Sequence, residues 1–404
     1  MEKPMFQPLQ GLRVVDLSQV LAGPYATYLM ALMGAEVLKI EKPGEGDWTR
    51  IGASVPELAE RKMGLSYLTQ NSNKKSVTLD LKSEAGLKIA RELVATADVF
   101  VENFKPGVAE RLGLGFEAVK ELKPDIVYCS ISAFGQDGPM RGRPAYDHVI
   151  QGMCGIMMTT GAPGAGPTKV GSPYIDYATG MNAAMAVMAG VLEMRRTGEA
   201  VQVDVAMLDT ALMLMASLMT THLTTGWIPE QSGNEAWSAS PSSGAFDTLE
   251  GVLMLAANNL PQFRRMAEAM GRTDLLEDPR WSTPDALKAN SGALRDELIA
   301  IFKTRPAAEW EEMLNAVAVP AGRVRGLDEI LGEDQITSRA LTSEIHVEGH
   351  DGPVYVPALS FKGNGTTSPA TTAPAELGAD TDAVLSALGY APDQLTGLRA
   401  DGVI

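Results

Sequence analysis

At 404 residues, with 45% hydrophobic and 21% charged side chains, the chain has the composition of a globular protein with a large core and room for two domains. Its formal net charge of −16 argues against a nucleic-acid surface or a general affinity for acidic membranes, so an anionic ligand must meet a local basic patch. Cys129 and Cys154, the only cysteines, sit in hydrophobic contexts without metal-ligand spacing and read as buried free thiols of a reducing compartment, with the cytoplasm as default.

The first eight residues lack the apolar run of a signal peptide. Residues 12–17 then read as a short apolar strand, 22–33 as a helix and 36–40 as a second strand. In 76–81, Val77, Leu79 and Leu81 alternate against Thr78 and Asp80, which predicts a half-buried strand. Residues 83–97 carry helical periodicity behind a Ser83-Glu84 start, and 98–101 and 125–132 are two more buried strands with helices at 106–112 and 116–122 between them. This alternation predicts a mostly parallel sheet covered on both faces. No G-x-G-x-x-G follows the first strand and no phosphate-binding P-loop occurs, which disfavours a dinucleotide-dependent oxidoreductase. The carboxyl ends of the strands remain the expected place for a ligand.

Residues 183–219 supply two Met- and Ala-rich helices around a turn at Thr197-Gly198, with 202–205 extended; both read as core helices rather than membrane spans. A Ser/Gly-rich connection at 232–244 leads to a hairpin over 245–256 turning at Glu250-Gly251, then helices near 260–270, 284–303 and 307–316, a smaller α+β unit. Residues 324–331 begin a return toward the first domain, 344–349 and 353–361 are strands around Asp351-Gly352, and helices at 381–388 and 392–399 close the chain. The expected domains are 1–225, 226–325 and a returning 326–404.

Between Asp147 and Glu193 only Lys169 and Asp176 carry formal charge. Asp176 stands at the mouth of an almost uncharged helix, where a carboxylate is either a nucleophile or acid/base, or an N-cap accepting from free amides. The four histidines are scattered. His346 and His350 are four apart but lead into a turn and read as solvated, and His148, followed by Val149 and Ile150, reads as an ordinary partly buried histidine.

An ordered set of motifs now runs through nearly the whole chain: Gly11-Leu-Arg-Val-Val-Asp16 with Ala22-Gly23-Pro24, Gly34-Ala-Glu-Val-Leu-Lys39-Ile-Glu41, Gly46-Asp47-x-x-Arg50 and Asn73-Lys74-Lys75-Ser76. Glu102-Asn103-Phe104-x-Pro106-Gly107, Ser132-Ala-Phe-Gly135-Gln-x-Gly138-Pro139, Tyr146-Asp147-x-x-x-Gln151, Asp176-Tyr-Ala-Thr-Gly180 and Thr197-Gly198-Glu199 complete it. The chain thereby resembles the class III CoA-transferase family, the formyl-CoA transferase, carnitine CoA-transferase or CaiB/BaiF type. The resemblance implies an α/β fold with a Rossmann-like large domain and a smaller α+β domain, in a ring-shaped chain that forms an interlocked homodimer. It implies Asp176 as a covalent nucleophile passing CoA from an acyl-CoA to a free carboxylic acid, with no metal or tightly bound cofactor. It places CoA on Val20, Leu21, Ala22, Lys42, Asn103, Phe104, Lys105, Arg111, Tyr146 and Asp147, with Lys74, Lys75 and Arg50 as looser candidates. Oxyanion charge would fall to backbone amides of Gly23 or of 19–22, since some members have Gln where Leu21 stands.

The α-methylacyl-CoA racemases share the implied fold but place a catalytic His where this chain has Tyr146, a weaker base at neutral pH; such an epimerase and a non-catalytic CoA-binding protein are the alternatives. Gly378-Ala379-Asp380-Thr381 replaces a Gly-Glu-His-Thr common in the family, and the glycine loop of formyl-CoA transferase has no counterpart near 256–259. Met153, Met157, Met158, Met181 and Met185 are read as core filling in preference to an acyl pocket. Family frequency alone points to a dicarboxylate such as succinate.

Overall fold

The computed structural model describes residues 5–52, 54–236, 238 and 240–404. Met1–Pro4, Ala53, and Trp237 and Ala239 of the 232–244 connection lie outside the described residues. The chain divides into two units: Met1–Met157, Lys169–Ile228 and Thr337–Ile404 form the first, Met158–Thr168 and Pro229–Ile336 the second. Relative to the expected division, the second unit also takes in 158–168 and keeps the helix Leu327–Leu331.

In the first unit, β1 (Arg13–Asp16), β2 (Glu36–Glu41), β3 (Lys75–Thr78), β4 (Val99–Glu102), β5 (Val127–Ser132) and β6 (Val201–Ala206) form one sheet in the order β3-β2-β1-β4-β5-β6. Every pairing is parallel, from Arg13 opposite Glu36 to Ser132 opposite Ala206. That is the strand order of the dinucleotide-binding folds, reached without their glycine fingerprint. Consecutive residues of the central strands feed opposite faces. Val14, Val99 and Cys129 enter the core beneath α1 (Ala22–Leu32), whereas Val15, Phe100 and Tyr128 enter the core beneath the helix Glu84–Ala95. Burial on both faces is why the central strands β4 and β5 read as continuous buried runs, whereas edge strand β6 alternates; β3, expected from its alternating sequence to be half-buried, instead buries Ser76, Val77 and Thr78 alike.

The reading of 83–97 is sharpened by the Ser83 hydroxyl, which accepts from Gly86 N at 3.0 Å and caps that helix. The returning segment is part of the fold of the first unit. Asp380 Oδ2 accepts from Ser76 N and Thr381 Oγ1 from Thr78 N, so Asp380, which stands where the family motif has His, and Thr381, which matches the motif, together dock the C-terminus on edge strand β3. Val403 and Ile404 end in the core of that face.

From Asp147 onward the first unit adds the helices α2 (Asp147–Cys154), α3 (Tyr174–Thr197), α4 (Met207–Leu214) and α5 (Ala216–Thr225). α3 begins at Tyr174, nine residues before the predicted helical stretch 183–219, so Asp176 is its third residue. By length and composition α3 would also pass as a membrane span; nine of its residues are buried here, with Ala183, Ala184, Val187, Val191 and Met194 in the core beneath α1 and Ile175 packed with Ile150 and Met207. Gly180 and Gly190 permit that approach, since a Cβ on Gly180 would lie 2.7 Å from Ala22 O and one on Gly190 2.8 Å from Val127 Cγ1. Gly198, at φ 73°, ends the helix where the sequence placed the turn.

The second unit holds the expected hairpin, β7 (Ser243–Asp247) and β8 (Val252–Ala256), extended antiparallel by β9 (Ala321–Arg323). Helices Leu260–Ala269, Ser291–Phe302 and Ala307–Ala316 close its core over Phe246, Leu253, Phe302 and Trp310. The predicted helix 284–303 is broken at Asn290, whose side chain donates to Ala286 O and Arg280 O. β10 (Thr342–Ile345) and β11 (Val354–Pro357) pair antiparallel in the first unit.

Candidate active site

Ser18–Leu21, after β1, and Asn103–Pro106, after β4, leave the sheet where the strand order reverses, the usual ligand crevice of an open α/β sheet. The Asn103 side chain ties the two loops together, its Oδ1 accepting from Gln19 N and its Nδ2 donating to Gln19 O, both at 2.8 Å. Glu102, buried beneath, accepts from Phe104 N at 2.8 Å and so fixes the turn that presents Asn103 and Phe104. Burial pushes this carboxyl up to about 7 against the pull of its hydrogen bonds to Ser130 and Phe104.

A cavity of about 310 Å³ opens above these loops. It brings together eight of the predicted residues: Val20, Leu21, Ala22, Asn103, Phe104, Lys105, Tyr146 and Asp176. A neighbouring cavity of about 110 Å³ shares Gln19 and Phe104 and adds Lys42 and Lys82, so the predicted Lys42 stands on the other side of the same bridge. Arg111 lies on the helix that follows, its guanidinium against Gly107. A third cavity, of about 320 Å³, shares Val20 and Leu21 with the first and is lined by Trp48, Gln70, Pro173 and Tyr177, the last two flanking Asp176 in sequence.

Asp176 itself is half-buried, and among the described residues its carboxylate makes no hydrogen bond and no ion pair. The helix-capping role belongs to another residue. Asp147 Oδ2 accepts from Ile175 N at 2.8 Å and Asp176 N at 3.1 Å, and Asp147 Oδ1 accepts from Gln151 Nε2 at 2.6 Å. Gln151 in turn accepts from Val170 N. Buried Asp147 therefore supplies the anion that the start of α3 asks for, which places it behind the cavity and leaves the Asp176 oxygens unengaged. Burial, aided by the Asp147 charge, lifts the Asp176 carboxyl to about 7. Desolvation outweighs the helix dipole here, as it must for a carboxylate with no partner.

The backbone donors also sort themselves. Gln19 N is taken by Asn103 and Val20 N by Asp47 Oδ2 at 3.1 Å. Ala22 and Gly23 open α1, where amides have no intrahelical acceptor, and Ala22 lines the cavity with Asp176. The free donors of the predicted oxyanion segment are thus at its helical end.

Three looser cation candidates are ruled out by geometry. Lys74 is buried on Asp16 Oδ2 at 3.1 Å, with Pro24 O, Thr27 Oγ1 and Asn71 Oδ1 around it, and burial lowers it to about 8. Arg50 is fully buried in a bidentate pair with Glu41 at 2.8 and 2.7 Å. Lys75 pairs with Glu36 at the amino end of β3, the wrong end of the sheet. Conversely Arg141 and Arg143 line the main cavity, and among the described residues neither pairs with a carboxylate. Their signal was present as cations in a Gly/Pro loop following a strand's carboxyl end.

His148 is exposed rather than partly buried; it stacks 6.4 Å from Tyr146 and does not line the cavity. His350 is half-buried 3.5 Å from Glu57 instead of solvated. The methionine reading is also corrected: Met153, Met158, Met181 and Met185 are exposed, 60% for Met185, and none lines the cavity, which takes Met207.

Fold and cavity define an α/β protein that holds a desolvated, unpartnered carboxylate at the crevice of a parallel sheet. The chain belongs to CoA-transferase family III, whose model matches residues 9–381. It is 36% identical over 355 residues to a succinate–glutarate CoA-transferase of Agrobacterium fabrum, covering 86% of this chain and 87% of that one. It is 33% identical over 399 residues to the mouse succinyl-CoA:glutarate CoA-transferase, covering 98% and 90%. Among solved structures, a CaiB/BaiF family protein from Brucella suis superposes with a TM-score of 0.82 at 30% identity, over 95% of this chain and 99% of that one. The protein is an acyl-CoA:carboxylate CoA-transferase.

Proposed function

We propose that Asp176 carries CoA covalently between acids. Its carboxylate attacks the thioester carbonyl of the acyl-CoA, expelling CoA thiolate and forming an aspartyl-acyl anhydride. The thiolate then attacks the aspartyl carbonyl, releasing the first acid as its carboxylate and leaving an Asp176–CoA thioester. The acceptor carboxylate attacks that thioester, and the expelled thiolate takes the new acyl group from the second anhydride, restoring Asp176. No water enters and no proton is gained or lost overall. The observation that carries this reading is the division of labour between two carboxylates, Asp147 capping α3 and Asp176 left free in the cavity. Loss of hydration strengthens Asp176 as a nucleophile, and Ala22, which opens α1 and lines the same cavity, would offer its amide to the tetrahedral oxyanion.

CoA brings about four negative charges to a protein of the same sign. Lys42 and Lys82 in the small cavity would take phosphate while Phe104, shared by both cavities, offers its ring face, and the pantetheine arm would cross the Gln19–Asn103 bridge to Asp176. The relatives' succinyl-CoA chemistry, together with Arg141 and Arg143 lining the main cavity, supports a dicarboxylic donor and acceptor. Hydroxylamine added with succinyl-CoA, followed by mass spectrometry of the Asp176 peptide, should yield an aspartyl hydroxamate, which requires a covalently activated aspartyl carbonyl, anhydride or thioester. Turnover without that adduct would rule out the covalent route.

The reading includes an interlocked homodimer. Met181, Met185 and Leu192 mark one exposed face of α3, and Met213, Leu214, Leu223, Trp227 and Ile228 add exposed apolar surface on α4, α5 and the segment after them. α5 buries none of its own residues in the single chain. A second copy would remove this surface from water.

A further inference from the structure

Val20 is a β-branched residue at φ 73°, a conformation in which its Cβ crowds the backbone. Its peptide groups are held from both sides. Asp47 Oδ2 accepts from Val20 N at 3.1 Å, while Asp47 Oδ1 accepts from Thr49 N and Thr49 Oγ1 and the Lys39 ammonium stands 3.3 Å from Oδ2. The Gln70 carboxamide, its nitrogen assigned toward two carbonyls because only that orientation pairs donors with acceptors, donates to Val20 O at 2.9 Å and Ser66 O at 2.8 Å. Asp47 is 1% exposed and Gln70 2%. They come from different parts of the chain, the turn before Trp48 and the helix Leu65–Asn71. Val20 and Leu21 line both the cavity that holds Asp176 and the third cavity beside Trp48, so they form the wall the two share.

We propose that Asp47 and Gln70 are positioning residues for transfer: together they clamp Val20 in its left-handed conformation and thereby fix the Val20–Ala22 wall against which Asp176 reacts. Neither touches the reacting atoms in this role. A glycine would adopt the same φ without strain, but would give up both the side chain in the wall and its rigidity. The clamp is a charge-backed acceptor on one side and a neutral donor on the other, so the conformation does not depend on the ligand to form. Releasing either side lets Val20 return to the β region and carries Leu21 and the first turn of α1 with it.

The inference rests on the covalent Asp176 reading, and the test separates the two. Wild type, Gln70→Met, Asp47→Asn, Val20→Gly and the Gln70→Met/Val20→Gly pair are compared by thermal melting, by kcat and KM for succinyl-CoA and acid, and by the rate of Asp176 hydroxamate formation. Gln70→Met keeps the volume and removes the donor; it should lower kcat and the hydroxamate rate roughly tenfold while both KM values stay within about twofold. Asp47→Asn should shift the same readouts from the other side. Because Gln70 and Val20 act through one backbone conformation, adding Val20→Gly to Gln70→Met should cost less than the product of the single effects. A wild-type kcat in Gln70→Met and Asp47→Asn, a loss confined to the KM of the acid, or fully multiplicative effects would each overturn the clamp. Absence of the hydroxamate in wild type would instead overturn the covalent reading.

Discussion

Asp176 and Asp147 are chemically the same side chain and end with opposite tasks because of what surrounds them. Asp147 receives the amides of Ile175 and Asp176 and the amide of Gln151, while Asp176 receives nothing and is lifted to about 7 by burial and by its neighbour's charge. The reacting form is the carboxylate, so kcat/KM for acyl-CoA should rise with pH through about 7 and level off above it. Glu102 is lifted to the same range, and Glu102→Gln should keep that acid limb while Asp176→Asn abolishes transfer. The stability linkage has a defined sign. A carboxyl raised in the folded state contributes its full favourable term below its unfolded pKa of 3.8 and loses it as pH climbs through about 7. Asp176→Asn should therefore gain more in melting temperature at pH 8 than at pH 4, measured by calorimetry. The isolation of Asp176 was legible in the sequence as a single acid in an uncharged stretch. Its freedom from capping was not, because the capping group comes from 29 residues earlier.

At the scale of elements, the site depends on how closely α3 approaches α1. Gly180 leaves Ala22 O where a methyl group would sit, 2.7 Å away, and a backbone oxygen at a helix start has little room to yield. Gly180→Ala should lower stability by about 1–3 kcal/mol despite alanine's better helix propensity, since overpacking in a buried contact outweighs roughly 1 kcal/mol of propensity. Because Ala22 also lines the cavity, kcat should fall with it, and thermal melts beside steady-state kinetics will show both. Strand and helix positions were largely readable from periodicity: β1, β2, α1 and the helix Glu84–Ala95 fall within a few residues of where the pattern put them. The early start of α3 was hidden because Pro173 and two tyrosines do not announce a helix, whereas Pro173 in fact stands at its N-cap. Lys74 and Arg50 misled for a related reason. Cations look alike in sequence, and only pairing across strands shows that Asp16 and Glu41 already occupy them.

For the whole molecule, the exposed apolar ridge makes an expected outcome specific. Wild type should elute and scatter as a dimer, and Met185→Glu combined with Leu192→Glu should shift it toward monomer while leaving the secondary structure seen by circular dichroism unchanged. Composition, the strand–helix alternation and the ordered motifs determined a parallel α/β fold and the family, and singled out Asp176 as an isolated acid, because hydrophobic period and residue type are local properties. Tertiary structure alone decided which acid caps and which is free, which cations face the cavity, and that methionines read as core lie outside it. Each of those outcomes turns on partners far apart in the chain, and burial, pairing and desolvation exist only once the strands have brought those partners together.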